Sequence, residues 1–92
     1  MTLHFSHHAL EKAHRRGVDL SYLHQTLETP DELYRDIEHK TIIAIKKTDD
    51  KFVVVVHRRE DKTVKVITVY YTTKIDKLIK SKTGRGAWKK IK

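Results

Sequence analysis

Cysteine is missing from this 92-residue chain, and proline and tryptophan occur only once each. Without cysteine the protein forms no disulfide, has no thiolate ligand for zinc and offers no thiol nucleophile. A chain without cysteine suits a reducing compartment, and we expect a cytoplasmic protein.

Long apolar runs are missing as well. No stretch approaches the roughly 20 apolar residues that a membrane-spanning helix needs. The first residues, Met-Thr-Leu-His, lack the basic and apolar blocks of a secretion signal. Apolar residues still make up 38% of the chain, in short runs, so we expect a single small soluble domain with no membrane partner.

Positive charge is concentrated in the carboxyl-terminal part. Residues 74–92 contain eight Lys or Arg residues and one acid, Asp76, a net charge of +7, whereas the whole chain carries +8. Because neutralising phosphates releases condensed counterions, such a cluster favours a nucleic-acid partner. A membrane surface, an acidic protein and a tail that only improves solubility remain open as alternatives.

Two helices are predicted near the amino terminus. Apolar residues recur at helical spacing from Phe5 to Arg16, with Ser6 as the N-cap and a glycine as the stop. A second helix begins at Asp19 or Ser21 and ends before Pro30, because the residue before a proline avoids helical geometry.

After Pro30 the apolar period changes from helical to alternating, and polar turns separate four runs of strand-forming residues. These predicted strands are Leu33–Glu38, Thr41–Lys47, Phe52–Val56 and Thr63–Tyr71. The short turns favour antiparallel pairing. The predicted fold is therefore α+β, with two helices packed on a four-stranded antiparallel sheet.

The last two predicted strands are apolar on both sides, so both faces of the sheet need a cover. The two helices cover one face, and the other is either covered by the carboxyl-terminal segment or offered to a partner. The apolar residues available in that segment are Ile75, Leu78, Ile79, Trp88 and Ile91. We expect a domain at residues 1–74 and a basic extension at 75–92, packed on it or flanking it.

Four of the seven histidines lie within the first fifteen positions, namely His4, His7, His8 and His14. A zinc site is disfavoured because no HExxH pattern occurs and His4, which is four residues from His8, precedes the predicted helix. We expect no metal and no other cofactor.

A row of cationic side chains explains the polar residues of the first helix better than a zinc site does. His8, Lys12 and Arg16 follow one another at four-residue intervals, beside Arg15. An imidazole there can act as general base toward a ribose 2′-hydroxyl, while a guanidinium stabilises charge on the phosphate. The alternative is an ordinary solvated helix face.

The last predicted strand ends in hydroxyl and amine groups, among them those of Thr72 and Lys74, which suit binding of a phosphate or a base. The alternative is a strand that becomes polar where it reaches solvent. For Trp88, packing in the small core is favoured over stacking on a base.

Four segments together resemble a known group of proteins. In order and spacing they read Ser-x-His-Ala, Arg-Gly, a Pro-Asp turn and Thr-Val-Tyr-x-Thr, and they lie at Phe5–Ala9, Arg16–Val18, Thr29–Asp31 and Val66–Lys74. This pattern, which covers residues 5–74, resembles a widespread group of small prokaryotic domains of unknown function. That group is similar to RelE toxins and BrnT, within the barnase-like ribonuclease superfamily.

The resemblance implies a RelE-like or barnase-like fold and a metal-independent endoribonuclease of toxin type. It implies that His8 is the general base or acid, that Arg16 and Lys74 bind the scissile phosphate, and that Thr72 orients it. Glu11 departs from the family pattern, which often has a basic or polar residue at such points of the first helix, and its charge repels phosphate. Further nucleic-acid-binding residues are expected at Lys12, Arg15, Lys77, Lys80, Lys82, Arg85, Lys89 and Lys90.

RNA is the predicted partner, and two other functions stay open. One is a non-catalytic nucleic-acid-binding or regulatory module that uses the same cationic surface. The other is a toxin-like subunit whose uncovered sheet face binds an antitoxin protein. A homodimer formed through the two-sided strands also stays open.

Overall fold

The computed structural model describes residues 2–92, which form six strands and three helices. In chain order the elements are β1 (Thr2–Phe5), α1 (Ala9–Arg15), α2 (Leu20–Glu28), β2 (Glu32–Asp36), β3 (Thr41–Lys47), β4 (Phe52–Glu60), β5 (Thr63–Thr72), α3 (Ile75–Gly84) and β6 (Trp88–Lys90). No helix within residues 2–92 has the length and apolar character that crossing a membrane requires.

All six strands belong to one mixed sheet, in the order β1-β5-β4-β3-β2-β6. β1 runs parallel to β5, and the other neighbouring strands are antiparallel. The predicted α+β class is confirmed. The predicted two helices and four-stranded antiparallel sheet are wrong, because each edge of the sheet carries an additional short strand and the carboxyl-terminal segment contains α3.

The first helix begins later than predicted. Phe5 belongs to β1, and the N-cap of α1 is His8 rather than Ser6. The Ser6 hydroxyl instead donates to the carbonyl of Ile67 at 3.2 Å, which ties the chain after β1 to β5. The helix stops before Gly17, whose φ of 66° lies in the left-handed region that favours glycine.

The second predicted helix is confirmed, and it lies between Asp19 and Pro30, which indicate its two ends in the sequence. The Asp19 carboxylate accepts a hydrogen bond from the backbone N–H of Ser21 at 2.8 Å and so caps the first turn of α2. The helix ends at Glu28, two residues before Pro30.

One face of the sheet, the α1/α2 face, is covered by the first two helices. Ala9 and Ala13 are fully buried one turn apart, and their small side chains let α1 approach the sheet closely. The cluster also contains Val18, Leu23, Leu27, Ala44, Val53, Val55, Val64, Val66 and Val69. Burial of this many apolar side chains, at about 1.5–3 kcal/mol each, is the main source of stability here.

The opposite face, the α3 face, is covered by the carboxyl-terminal segment. Of the two alternatives that the sequence left open, cover by this segment is therefore found, and not a face offered to a partner. Buried Ile75 and Trp88, with half-buried Leu78 and Ile79, pack on residues of the central strands. Ile91 does not take part, since it is 46% exposed. Packing of Trp88 is confirmed: it is 4% exposed, and its ring centroid lies 5.6 Å from that of Tyr34.

Two irregularities of the sheet shape its surface. Val56 pairs with Thr68 and His57 with Val66, so Ile67 is an additional residue in β5 and forms a bulge. At the same end, the last ladder pair between β3 and β4 is Ile42 with His57, while residues 58–60 of β4 continue alongside β5. The β4–β5 hairpin therefore overhangs the β2–β3 hairpin.

Candidate active-site cleft

Arg16 lies at the edge of β5, beyond the point where β1 ends. Its guanidinium donates to the hydroxyl of Thr68 at 3.1 Å and to the carbonyl of Val69 at 3.0 Å. It also lies 6.0 Å from the centroid of the Tyr70 ring. Arg16 thus satisfies an edge carbonyl of the sheet and places its positive charge beside Tyr70.

His8 lies at the other end of α1. It is exposed, and its ring packs edge-on against that of His7 with centroids 4.8 Å apart. Because a helix rises about 1.5 Å per residue, its Cα atom lies about 12 Å from that of Arg16. Between them, Arg15 forms an exposed ion pair with Glu11 at 2.6 Å, so the acid that departs from the family pattern is partly neutralised, and half-buried Lys12 completes the row.

Thr72 and Lys74 lie at the far end of β5. The Thr72 hydroxyl accepts a hydrogen bond from the backbone N–H of Lys74 at 3.1 Å, and both residues line a shallow hollow together with Lys51 and Tyr71. At about 3.3 Å per strand residue, Thr72 is about 13 Å along the strand from the Thr68 that Arg16 contacts. This hollow includes neither Arg16 nor His8, so a joint role of the four residues stays a prediction.

The basic residues of the carboxyl-terminal segment spread over the outer surface of α3 and β6. Lys77, Lys80, Arg85, Lys89 and Lys90 are exposed, and the Lys90 ammonium lies 3.3 Å from the Glu32 carboxylate. Lys82 differs from them, because it is half-buried and lines a cleft on the α3 face.

That cleft, called here the His39 cleft, has a volume of about 310 Å³, at the small end of the usual range for ligand sites. Its walls include Trp88 and aliphatic side chains of the sheet. The polar residues that line it are Asp36, His39, Thr41, Arg58, Tyr70 and Lys82. They come from β2, the turn after it, the start of β3, the ends of β4 and β5, and α3.

Asp36 organises the His39 cleft. Its carboxylate accepts hydrogen bonds from the backbone N–H of His39 at 2.9 Å, from the His39 ring at 3.0 Å and from the Trp88 indole at 3.3 Å. Burial opposes ionisation of Asp36, but these hydrogen bonds outweigh it and lower the pKa of the carboxyl. The side chain is 11% exposed and stays a carboxylate at neutral pH.

The hydrogen bond to Asp36 also fixes the tautomer of His39. A carboxylate only accepts, so the Nδ1 atom of His39 carries the proton and the Nε2 atom of a neutral ring is left with its lone pair. The ring is 68% exposed at the opening of the cleft. Such an imidazole, oriented by a carboxylate and open to a substrate, has the arrangement of a general base.

Two cations and a phenol complete the polar lining. The Arg58 guanidinium donates to the backbone carbonyl of His39 at 3.3 Å, which ties it to the turn that carries the imidazole, and Lys82 lines the cleft from α3. Burial raises the pKa of the Tyr70 hydroxyl, while nearby Arg16 acts in the opposite sense. Tyr70 therefore keeps its proton at neutral pH and connects Arg16 with the His39 cleft.

Thr41 gives an independent indication of a ligand. It is 4% exposed and lines the cleft, and its buried hydroxyl has no hydrogen-bond partner within residues 2–92. Leaving a buried hydroxyl unpaired costs about 1–3 kcal/mol, so an unpaired group at a cleft suggests that a bound molecule supplies the partner.

Of the residues in this cleft, only Lys82 is predicted as a site residue from the sequence. The available signals were the Asp-x-x-His spacing at the end of β2 and the two arginines that follow the apolar run of β4. Neither distinguishes a site from a polar turn, because their convergence depends on the strand register. No cluster of three or more potential metal ligands occurs within residues 2–92.

The chain is similar to a known protein family over most of its length. A family model described as "Domain of unknown function (DUF4258)" matches residues 5–71. No curated protein and no solved structure matches the chain. The matched region contains Asp36, His39, Arg58 and Tyr70, whereas Lys82 and Trp88 lie beyond it.

Proposed function

The chain belongs to the DUF4258 family of domains of unknown function, and we propose that it binds RNA and cleaves it without a metal ion. The observation that carries the proposal is the His39 cleft, where a carboxylate-oriented imidazole, an arginine and a lysine line one hollow. Cleavage of RNA through its own 2′-hydroxyl requires a base, an acid and positive charge near the phosphate.

In the proposed reaction, Nε2 of His39 accepts the proton of a ribose 2′-hydroxyl. The 2′-oxygen then bonds to the neighbouring phosphorus, and the bond from phosphorus to the 5′-oxygen breaks. Tyr70, which lines the cleft and is protonated at neutral pH, donates a proton to the leaving 5′-oxygen. Arg58 and Lys82 stabilise the additional negative charge on the phosphate oxygens. The products carry a 2′,3′-cyclic phosphate and a 5′-hydroxyl.

This proposal moves the general base from His8 to His39. His8 has no oriented partner comparable to Asp36, and its Cα atom is about 12 Å from that of Arg16 along α1. Arg16 keeps a role in positioning, through its contacts with β5 and its approach to Tyr70. Thr72, Lys74 and the basic residues of α3 and β6 are assigned to binding of the RNA strand outside the cleft.

The resemblance to RelE toxins and BrnT supports the same class of activity, and we propose that the domain belongs to that superfamily of ribonucleases. This assignment to the superfamily is supported by the four segments noted in the sequence and by an α+β fold with helices beside a mainly antiparallel sheet. Likeness of fold does not establish activity, so the cleft residues carry the argument.

The test is cleavage of RNA by purified protein in EDTA, with analysis of the new ends. We expect the wild-type protein to produce 2′,3′-cyclic phosphate ends, and His39→Ala to lower the rate by at least about 100-fold, the usual contribution of a general base. His24→Ala, which removes an exposed histidine of α2, is the matched control and should keep the full rate.

Two other outcomes would revise the proposal. If His8→Ala abolishes cleavage and His39→Ala does not, the base is at His8, as the sequence predicted. If the wild-type protein binds RNA in a salt-sensitive manner but leaves it intact, the protein is a nucleic-acid-binding module and cleavage is refuted.

A further inference from the structure

The overhang of the β4–β5 hairpin creates a second basic hollow, called here the overhang notch. It lies between residues 58–60 of β4 and the turn that joins β2 to β3, and its volume is about 420 Å³. Arg35, Lys40, Arg58 and Arg59 line it, and all four are exposed. Two acids, Asp36 and Glu60, also contribute, so the lining has a net positive charge.

The overhang notch adjoins the His39 cleft. Asp36, Thr41 and Arg58 line both hollows. Side chains alternate along β4, so Arg58 lies on the α3 face with Val56, and Arg59 lies on the α1/α2 face with Val55. A chain that occupies both hollows therefore follows a path round the start of β3, from one face of the sheet to the other.

The dimensions of this path favour one strand of nucleic acid. The notch occupies the place where a continuation of β3 would lie. Because neighbouring strands of a sheet are about 4.8 Å apart, the gap between the segments on either side is about 10 Å. A duplex, whose major groove alone is about 12 Å wide, is broader than this gap. The Ile37 and Ile42 side chains supply an apolar surface within the notch, against which a base or sugar can pack.

We propose that the overhang notch binds the phosphates of a single-stranded RNA segment on one side of the bond held in the His39 cleft. Arg59 and Lys40 bind those flanking phosphates, and Arg58, at the junction, faces the scissile phosphate and the next one. This inference rests on the proposed function for the identity of the substrate. It adds that the substrate is an extended single strand and that affinity grows with strand length on one side of the cleavage point.

The test compares a dinucleotide with a single-stranded RNA of ten nucleotides. The double variant Lys40→Gln/Arg59→Gln should cleave the dinucleotide at the wild-type rate, while its KM for the ten-nucleotide strand rises about tenfold or more. The matched control is Lys47→Gln/Lys92→Gln, which removes two exposed lysines near the opposite end of the sheet and should behave as wild type on both substrates.

The notch can also be tested without cleavage, which separates its failure from that of the proposed function. Binding of a ten-nucleotide strand with a 2′-deoxyribose at every position is measured by fluorescence anisotropy at several salt concentrations. Loss of two phosphate contacts should reduce the slope of log affinity against log salt by about 1.4. An unchanged slope in the notch variant, or competition by polyglutamate as strong as that by RNA, would refute the inference.

Discussion

His57 is an imidazole held inside the apolar core. It has no exposed surface, its Nδ1 atom lies 3.3 Å from the carbonyl of Val55, and its Nε2 atom has no hydrogen-bond partner within residues 2–92. Burial lowers the pKa of His57 to about 4. The hydrogen bond with the Val55 carbonyl acts in the opposite sense, and the charge of Arg59 lowers the pKa further. The folded protein therefore holds this ring in its neutral form.

We expect the stability of the fold to decrease as pH falls below about 6.5, the ordinary pKa of histidine. The unfolded chain then binds a proton at position 57 that the folded chain excludes until about pH 4, so the free energy of unfolding falls by up to about 3 kcal/mol across this window. Urea midpoints at pH 7, 5.5 and 4 measure the loss. His57→Leu should flatten this dependence, and an equal loss in that variant would contradict the assignment.

At this scale the sequence predicts single residues only where local spacing identifies them. Arg16 stood out because it continues the row that His8 and Lys12 begin and ends a helix, and the structure adds its contacts with β5. The sequence does not indicate the hydrogen bond between Asp36 and His39, because a polar residue three positions beyond the end of a strand is typical of an ordinary turn. Arg58 reaches them only through antiparallel pairing, which no local pattern reveals.

β6 is the shortest strand, yet it completes both the core and the cleft. Its three residues pair with β2, and Asp36 is directly opposite Trp88. The Trp88 indole fills the α3 face beside Tyr34 and donates a hydrogen bond to the Asp36 carboxylate. The Trp88 side chain thus packs on the α3 face and also helps to fix the position of the Asp36 carboxylate.

We expect Trp88→Ala to lower the free energy of unfolding by about 3–5 kcal/mol, the usual cost of emptying a large aromatic site. Trp88→Phe keeps most of the apolar contact and loses the hydrogen bond to Asp36, so its loss should be about 1–2 kcal/mol. Urea denaturation at pH 7 measures both variants. Equal stability of Trp88→Ala and wild type would show that β6 does not contribute to the folded core.

The elements that the sequence predicted are those with several periods of a pattern. α2 carries a capping aspartate and a following proline, and β3 to β5 are seven to ten residues long. β1 and β6, with four and three residues, are too short to show an alternation. The sequence predicts a helix from Phe5 because Phe5 lies at helical spacing from Ala9. In the structure Phe5 instead belongs to β1 and pairs with Val66.

Two groups of basic residues differ in how they arise in the whole molecule. Arg35, Lys40, Arg58, Arg59 and Lys82 line the His39 cleft and the overhang notch, while most basic residues of α3 and β6 face solvent. The sequence predicts the second group as the nucleic-acid surface, because it forms a run in the chain. The first group comes from three separate segments and becomes visible only when the sheet assembles.

We expect RNA affinity to depend strongly on salt, with a slope of log affinity against log salt of about −3.5 from the five cations of the first group. Affinity should then fall about 130-fold between 50 and 200 mM salt. If the tail also binds the strand, the wild-type slope is steeper than this, and Lys77→Gln/Lys80→Gln/Lys89→Gln reduces its magnitude by about 2. Fluorescence anisotropy with a single-stranded RNA measures both, and a salt-independent affinity would exclude a phosphate-based interface.

The bond from Trp88 to Asp36 spans 52 positions of the chain, and this separation orders events during translation. Chains leave the ribosome amino end first. Until the tunnel releases Trp88, β2 has an unpaired edge and the Asp36 carboxylate lacks its indole partner. The α3 face of the sheet is therefore completed only after the strands that precede β6 have become free to pair.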